Sequence, residues 1–452
     1  MRIAIVGGGL LGLTMAHRLA GPRHQVSLFE AAPQLGGLSA GHDYGPFTWD
    51  RYYHCVLPQD QRTVGLLQEL GLENRLRWKS TRTGYWAGDT FYEMSGNADF
   101  ARFPLLNLID KGRLAWSVIW ATRFADPEKL HRVSAQEWLT RICGKRTFEV
   151  FWLPMLRAKF GEYHDRVSAV FIWATLTRLM RARSSTGAKE QLGYIGGGYT
   201  GVFEVLERSL LDRGAELHLG RTVEHLARSD DTCSLRLAGD GENREFDRVL
   251  FTAPARIAAK AADERLKPEV EKLAAQYPTA SSYLGVICMA LVLPEPLTPY
   301  YVLNLGQDVG LTGVIEMTNL VDPVETAGRR LVYLPLYLDS EDPRLSWSDE
   351  KLREMFLAGL GRLFPAFDLN TIENAEIHRA RYVQPLPLVR GADEPVADPG
   401  LPRDADPFQW VNTSMLRCTT LNNNEVIALA DAFLEGNGLG ETQADAGGSA
   451  AA

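Results

Sequence analysis

The first thirty residues show a hydrophobic pattern that predicts a strand, a helix and a second strand. The run RIAIVG is short, apolar and rich in β-branched residues, and it ends in glycine, which favours a buried strand. Apolar residues then recur at helical spacing through LLGLTMAHRLAG, where a glycine ends the pattern. The run QVSLFE predicts a second buried strand. A strand, a helix and a strand within about 30 residues predict a right-handed βαβ unit with parallel strands.

The pattern changes in the middle of the chain and later returns to its first form. Residues from about 100 to 190 show mainly helical spacing. Residues 194–220 again combine a glycine turn, an amphipathic helix and a short strand. Strand-like runs follow at CSLRLA, DRVLFTAP, SSYLGVICMALVL and RRLVYLPLYL, and helical spacing returns at residues 348–364 and 422–436.

These elements predict an α/β protein with two interleaved domains. A discontinuous, Rossmann-like nucleotide-binding domain is expected at residues 1–75, 190–255 and 405–435. An inserted α+β domain, made of helices and a mixed sheet and suited to holding the substrate, is expected at residues 76–189 and 256–404. Residues 436–452 are polar and rich in Gly and Ala, which predicts a disordered tail.

The turn between the first strand and the first helix indicates what this domain binds. It carries the pattern G-x-G-x-x-G, whose glycines are Gly7, Gly9 and Gly12. The first glycine permits a tight turn, the second lets a pyrophosphate approach the backbone, and the third allows close packing of helix on strand. Leu10 and Leu11 open the helix, whose positive end faces the phosphates. Glu30 ends the second strand 18 residues after Gly12, where its carboxylate can accept hydrogen bonds from a ribose.

A second glycine pair follows this glutamate directly, in EAAPQLGGLSA. Gly36 and Gly37 bring further backbone amides towards the phosphates, and the neighbouring Ala31 and Leu38 join the expected cofactor contacts. An enzyme that uses only a nicotinamide cofactor does not need this second pair. Here the sequence resembles the superfamily of FAD enzymes that includes flavin amine oxidases, protoporphyrinogen oxidases and phytoene desaturases. In that superfamily E-x(5)-G-G is the second half of the N-terminal fingerprint.

Further segments resemble the same superfamily in the same order along the chain. They are TWDRYYHCVLPQDQRTVGLLQELGL, the stretch from YIGGGYTG to HLGRTVEHL, and FDRVLFTAP. The resemblance implies that FAD is held as a prosthetic group. It also implies that the backbone of Val223 meets the adenine.

The last part of the chain departs from the superfamily pattern. The usual Gly-Asp that reaches the flavin ribitol or phosphates is missing from DPFQWVNTSMLRCTTLNNNEVIALADAF. We expect Asn412, Thr413 and Asn422 to replace these contacts, with the N-terminus of the last helix directed at the flavin. The alternative is that the asparagines only cap helices.

Candidate catalytic residues rest on weaker resemblance. Lys159 is similar to the active-site lysine of some amine oxidases, although a surface or anion-binding lysine is the alternative. Tyr53 and His54 lie in the segment that runs near the flavin, and His54 is equally compatible with a histidine bonded to backbone in the core. Tyr382 and Gln384 resemble residues on the substrate side of the flavin.

Composition narrows the class of protein. The net charge of −8 argues against nucleic acid as a partner. Five scattered cysteines without metal spacing predict no structural metal and a reducing compartment, with the cytoplasm as the expected location. No apolar run approaches the ~20 residues that a membrane-spanning helix needs.

The charge is unevenly distributed along the chain. Residues 102–189 contain 16 Lys and Arg against 7 Asp and Glu, together with five of the ten tryptophans. Such a segment suits an anionic substrate or peripheral contact with an anionic membrane surface. The alternative is a set of helices with solvated basic faces around a tryptophan-rich core.

The expected function is that of an FAD-dependent oxidoreductase that takes a hydride from a substrate carbon. The expected reaction is desaturation or the oxidation of an amine or an alcohol. The expected substrate is a small molecule or a lipid-linked compound that is anionic, glycosylated or isoprenoid-like. Two alternatives stay open. One is a redox-neutral isomerase or mutase similar to UDP-galactopyranose mutase, and the other is a non-catalytic scaffold with the same fold.

Overall fold

The structure, a computed structural model, describes residues 1–182, 191–391, 406–416 and 420–439. Most of the predicted tail, residues 440–452, lies outside this part of the chain. The helices are α1 (Leu10–Leu19), α2 (Gln61–Glu69), α3 (Asn97–Arg102), α4 (Leu108–Phe124), α5 (Pro127–Leu130), α6 (Ala135–Cys143), α7 (Lys145–Thr147), α8 (Leu153–Phe160), α9 (Ala169–Ala182), α10 (Thr200–Asp212), α11 (Ala255–Ala261), α12 (Lys267–Ala275), α13 (Asp349–Leu363) and α14 (Asn423–Gly436).

The strands complete the architecture. They are β1 (Arg2–Val6), β2 (Gln25–Glu30), β3 (Gly41–Asp43), β4 (Thr48–Asp50), β5 (Leu76–Ser80), β6 (Thr83–Ala87), β7 (Thr90–Glu93), β8 (Gln191–Ile195), β9 (Glu216–Leu219), β10 (Val223–Arg228), β11 (Cys233–Leu237), β12 (Arg244–Phe246), β13 (Arg248–Phe251), β14 (Tyr283–Leu293), β15 (Val302–Leu305), β16 (Gly313–Glu316), β17 (Arg330–Asp339), β18 (Asn374–Pro385) and β19 (Phe408–Trp410).

A parallel sheet forms the nucleotide-binding part of the molecule. Its strand order is β19–β13–β1–β2–β9, and every pair in it is parallel. Four of the five residues in β1 and four of the six in β2 are buried, since helices cover this sheet as they do in parallel sheets generally. Helix α1 packs against both α10 and α14. This sheet draws its strands from well-separated parts of the chain, which confirms the predicted α/β class and its discontinuous nucleotide-binding fold.

A mixed sheet forms the second part, with strand order β18–β14–β17–β16–β15–β6–β7. Strand β14 is buried along its whole length, because both of its faces are covered. Its residues Ile287 and Met289 pack with α13 residues such as Phe356, whereas the alternate residues Cys288 and Ala290 pack into an aromatic cluster on the opposite face. This pattern differs from the polar–apolar alternation of a half-exposed strand and fits an interior strand, since β14 lies between β18 and β17.

Helices α3 to α9 form an insert with its own apolar core. Trp138 and Leu139 of α6 are buried in it, together with Phe148 and Phe160. The predicted helical character of residues 100 to 190 is therefore confirmed over the described residues. No helix in the described ranges is both long enough and apolar enough to cross a membrane.

One strand pair connects the two predicted domains. Strand β5 lies in the range expected for the inserted domain, yet it pairs antiparallel with β8, which lies in the range expected for the nucleotide-binding domain. The pattern LRWKS gave no sign of this pairing, because four of the five side chains of β5 are exposed. The domain boundaries near residues 75 and 190 therefore stay predictions, with a two-stranded connection between the parts.

Glu316 is a buried acid that gives the mixed sheet a dependence on pH. Its side chain is fully buried at the end of β16, where Oε2 accepts a hydrogen bond of 2.7 Å from the amide of Thr298. Oε1 has no hydrogen-bond partner among the described residues. Burial raises the pKa of Glu316 to about 7, although the amide hydrogen bond opposes this shift.

We expect the contribution of Glu316 to stability to be lost as pH rises from about 4.5 to about 7, because the unfolded chain loses this proton first. Glu316→Gln mimics the protonated acid, so its melting temperature should match that of the wild type at pH 5 and exceed it by a few degrees at pH 8. Thermal unfolding at both pH values measures this. Glu295→Gln, at an exposed position, is the control, and equal shifts in both variants would contradict the prediction.

Candidate active site

The two glycine turns lie against each other in the structure. Gly7 adopts φ +115°, a conformation that favours glycine. A Cβ on Gly12 would lie 2.0 Å from the carbonyl oxygen of Gly7, so no side chain fits between helix and turn. The amide of Gly36 donates to the carbonyl of Gly8 at 2.8 Å, and Gly36 and Gly37 have φ +111° and +57°. The predicted fingerprint glycines thus form one continuous turn structure at the N-terminus of α1.

Gly9 differs from the other fingerprint glycines of these two turns. Its backbone has φ −74° and ψ 176°, which any residue can adopt. A Cβ there would meet only the Cα of Gly37, at 4.0 Å. Neither backbone strain nor packing within the protein therefore requires glycine at this position. A ligand that approaches the backbone closely explains it, because α1 begins here without a side-chain cap.

Glu30 is held at the edge of this cradle. Its Oε2 accepts a 2.6 Å hydrogen bond from the amide of Gly8, and its Oε1 accepts one of 2.7 Å from the amide of Ala32. The amide of Arg221 donates to the backbone carbonyl of Glu30 at 2.9 Å, which brings the start of β10, Val223, to the same edge. Ala31 and Leu38 border the cradle in sequence, with Ala31 exposed and Leu38 half-buried.

A cluster of polar side chains lies just past the second glycine turn. Ser39 Oγ is 3.2 Å from His54 Nε2, and it donates to Oδ1 of Asn423 at 3.4 Å. On the other side of the ring, His54 Nδ1 is 3.4 Å from Oδ2 of the buried Asp50. Oδ1 of Asp50 accepts from the amide of Tyr199 at 2.8 Å. The N-terminus of α14 therefore meets the segment that contains His54.

Tyr53 extends from this segment to the inserted domain. Its hydroxyl forms a 3.0 Å hydrogen bond with the hydroxyl of Tyr337, on β17. The Lys159 ammonium lies over three aromatic rings, 5.0 Å from the centroid of Phe171, 5.4 Å from that of Tyr337 and 5.8 Å from that of Phe160. Burial lowers the pKa of Lys159 to about 8. We call Tyr53, Tyr337 and Lys159 the aromatic–lysine site.

The residues predicted to replace the missing Gly-Asp use their amide groups inside the protein. Asn412 is buried, and its Oδ1 accepts from the Tyr283 hydroxyl at 2.8 Å and from the Ser414 amide at 3.0 Å. Its Nδ2 donates to the carbonyl of Thr252 at 2.8 Å. Tyr382 lies edge-on to Tyr283, with ring centroids 5.6 Å apart. Asn412 thus links the parallel sheet to the substrate-side strands.

The other predicted residues of this region have structural partners too. Asn422 caps α14, since its Oδ1 accepts from the Glu425 amide at 3.1 Å and its Nδ2 donates to the Thr420 carbonyl at 2.9 Å. Thr413 begins a short 3-10 helix capped by Asn412. Gln384 is buried on β18. The capping alternative is therefore what the structure shows for both asparagines, and flavin contacts by Asn412, Thr413 and Asn422 stay predictions.

Several residues at this location were not singled out from the sequence. They are Asp50, Tyr199, Thr252, Tyr283 and Tyr337. Tyr337 lies in an apolar strand pattern that only indicates burial, so nothing in the sequence distinguishes it. The sequence did offer a signal for Asp50, a carboxylate that follows Trp49 in the aromatic-rich stretch TWDRYY.

Comparison with known families decides what this arrangement is. The model of the flavin-containing amine oxidoreductases matches residues 12–394. The chain belongs to this family. It is an FAD-dependent oxidoreductase, as the fingerprint predicted, and FAD is its cofactor.

Individual relatives are distant. The chain is 23% identical over 390 residues to a 15-cis-phytoene desaturase of Synechococcus elongatus, a match that covers 81% of this chain and 80% of the relative. Its fold is similar to that of cyclohexylamine oxidase from Brevibacterium oxydans, with a TM-score of 0.69, 14% identity and coverage of 97% and 98% of the two chains. Reduced UDP-galactopyranose mutase gives a TM-score of 0.70 at 14% identity, with coverage of 98% and 96%.

The residues present fit FAD. The free amides at the start of α1 and the bare backbone of Gly9 suit the pyrophosphate, and the fixed carboxylate of Glu30 suits a ribose. The cluster around His54 and Asn423 and the aromatic–lysine site lie beyond the second glycine turn, where the flavin end of the cofactor would extend.

Gly9→Ala tests the close-approach argument. The added methyl group fits the protein, so the melting temperature of the apoprotein should change by no more than a few degrees. The same methyl group occupies the space of the phosphates, so the dissociation constant for FAD should rise at least about tenfold, the equivalent of one lost charge-assisted hydrogen bond. Fluorescence titration of the apoprotein with FAD measures the affinity.

Two further variants bracket this result. Gly12→Ala should destabilise the apoprotein strongly, because its methyl group would meet the carbonyl oxygen of Gly7. Gly65→Ala, in open space within α2, should leave both the affinity and the fold intact. Unchanged FAD affinity in Gly9→Ala would show that the cofactor does not approach this residue.

Proposed function

We propose that the protein oxidises a substrate carbon by removing a hydride, with the aromatic–lysine site as the place where the substrate lies. When bound, FAD supplies the two-electron acceptor for this hydride. The observation that carries the proposal is the position of Lys159, a lysine with a pKa near 8 in an aromatic surrounding, connected through Tyr337 and Tyr53 to the segment beside the second glycine turn.

Lys159 is suited to accept a proton. Because its pKa lies near 8, a substantial fraction of the side chain is neutral at slightly alkaline pH. The hydride leaves the substrate carbon with two electrons, and the proton on the adjacent atom leaves to the lone pair of the Lys159 amine, directly or through one water. A double bond to carbon then forms in the substrate, which balances the electrons. Dioxygen or a quinone would serve as the final electron acceptor.

Tyr53 and Tyr337 position the substrate in this proposal. Burial raises the pKa of both hydroxyls, so both stay protonated and uncharged across the working pH range. Their rings offer apolar faces that suit an isoprenoid-like chain or a cationic amine. Among the substrate classes expected from the sequence, an isoprenoid-like compound fits such a lining better than a strongly anionic one.

The experiment that tests the reaction class is anaerobic titration of the purified holoprotein. Three probes represent the chemistries in question: 15-cis-phytoene for desaturation, cyclohexylamine for amine oxidation and UDP-galactopyranose for a redox-neutral reaction. Loss of the long-wavelength flavin absorbance with the first or second probe supports hydride removal. Conversion of the third probe only by protein that dithionite has already reduced, with no return of the flavin absorbance during turnover, would replace the proposal by the mutase alternative. A protein that takes up no FAD would favour a scaffold.

Replacement of Lys159 tests its role as the proton acceptor. The rate of flavin reduction in the wild type should rise with pH and level off above about 8, since the neutral amine is the reactive form. Lys159→Met should lower this rate by roughly 100-fold or more and abolish the rise, a loss typical of a missing general base. Lys159→Arg, which stays charged, should be equally slow at every pH.

Stopped-flow absorbance with the probe that reduces the flavin measures these rates from pH 6 to 10. Lys272→Met, an exposed lysine on α12, is the matched control and should keep the wild-type profile. A pH-dependent rate that persists in Lys159→Met would assign the proton to another group.

A further inference from the structure

Helix α4 exposes large apolar side chains that a water-facing helix rarely carries. The exposed fractions are 84% for Leu108, 68% for Ile109, 55% for Trp116, 47% for Ile119 and 67% for Phe124. At about 100° per residue these five positions fall within one half of the helix circumference. We call them the outer face of α4. Several exposed large apolar side chains on one side of a helix mark an interaction site.

The opposite side of α4 already has its partner within the protein. Leu114, Ser117 and Ala121 are buried, and α4 packs there against α6 and α9. The outer face is therefore not needed to hold the insert together. Because both sides of the helix are apolar, the sequence pattern alone did not separate a buried side from an exposed one.

The charges near the outer face are basic. Arg113 and Arg123 are exposed on α4, and neither forms an ion pair with an acidic side chain among the described residues. The acid of α4 is Asp110, which is buried on the inner side, where it pairs with Arg146 at 3.0 Å. The outer half of α4 thus combines tryptophan, phenylalanine and aliphatic side chains with two interspersed arginines, without an exposed carboxylate on the same helix.

We propose that the outer face of α4 docks on an anionic lipid bilayer, with the helix lying in the plane of the interface. Trp116, Ile119 and the side chains near both helix ends enter the boundary between headgroups and acyl chains, while the arginines contact lipid phosphates. The helix has 17 residues and is about 25 Å long, so its axis lies along the surface and does not cross it. This docking goes beyond the proposed oxidation and does not depend on it.

A second copy of the chain suits this face less well. In a two-fold symmetric contact the same surface meets itself, so Arg113 and Arg123 of one copy would approach those of the other. Like charges at an interface oppose association when no acid lies between them. An anionic bilayer offers both a complementary charge and an apolar layer beneath it.

The test is co-sedimentation of the full-length holoprotein with vesicles. Phosphatidylcholine vesicles with about 30% phosphatidylglycerol should bind the wild type, whereas pure phosphatidylcholine should bind it at least about fivefold more weakly, since each basic residue near an anionic surface contributes roughly that factor. Trp116→Ser with Ile119→Ser should reduce partitioning into the anionic vesicles by about tenfold or more. Arg113→Gln with Arg123→Gln should reduce it towards the value for neutral vesicles.

Matched controls keep the result specific. Val324→Ser removes an apolar side chain that is 85% exposed outside the insert, and Arg208→Gln with Arg362→Gln removes two exposed arginines elsewhere. Both should bind vesicles as the wild type does. The flavin spectrum and melting temperature verify the fold of every variant. Vesicle binding is measured without an oxidation substrate, so failure of the proposed oxidation does not affect this test.

Three outcomes would overturn the proposal. In the first, the wild type binds neither kind of vesicle. In the second, the α4 variants bind the anionic vesicles as well as the wild type does. In the third, the wild type binds no vesicles and is a dimer in light scattering, and Trp116→Ser with Ile119→Ser converts this dimer to a monomer. The third outcome would assign the outer face to a second copy of this chain.

Discussion

The structure depends on one steric constraint, the absence of side chains where two turns of the chain meet. A diphosphate can take its hydrogen bonds from backbone amides only where no Cβ intervenes. Gly12 and Gly36 are glycines because a Cβ at either position would clash with neighbouring atoms of the protein. At Gly9 the protein leaves space for a Cβ, and this space is available to a ligand. The parallel sheet and its helices hold these turns in place.

The connection between the nucleotide-binding part and the mixed sheet rests on a short segment that begins at Asp50, the last residue of β4. Asp50 is buried and fixes this segment in both directions: its side chain accepts from the Tyr199 amide, and its backbone carbonyl accepts from the hydroxyls of Tyr44 and Tyr333. Tyr333 belongs to β17 of the mixed sheet, and Tyr199 lies at the start of α10, which packs on α1, so Asp50 joins the mixed sheet to a helix of the nucleotide-binding part. Tyr53 and His54 follow in the same segment. Tyr53 contacts Tyr337 on β17, whereas His54 contacts Ser39 beside the second glycine turn.

Features set by local pattern were predictable from the sequence, whereas features set by contacts between distant segments were not. Gly7, Gly12 and Glu30 were recognisable because backbone geometry and phosphate binding dictate residue type at fixed spacing. Tyr337 was not, because a strand tyrosine looks the same in sequence whether or not a distant residue contacts it. Asn412 shows the reverse case: its residue type suggested a ligand contact, yet its amide is occupied by partners within the protein. The short strand β5 pairs through its backbone, and backbone pairing leaves no trace in mostly exposed side chains.

The discontinuity of the parallel sheet also has a consequence for the order of events during synthesis. The contact between Ser39 and Asn423 joins residues 384 positions apart, and β19 adds its edge of the sheet only at Phe408–Trp410. Domains whose contacts are local can fold as they leave the ribosome, whereas pairing of distant segments must wait for both partners. The glycine turns emerge first, whereas Asn423 at the start of α14, which contacts Ser39, emerges 384 positions later. The contact between the glycine turns and α14 therefore forms only after both segments have left the ribosome.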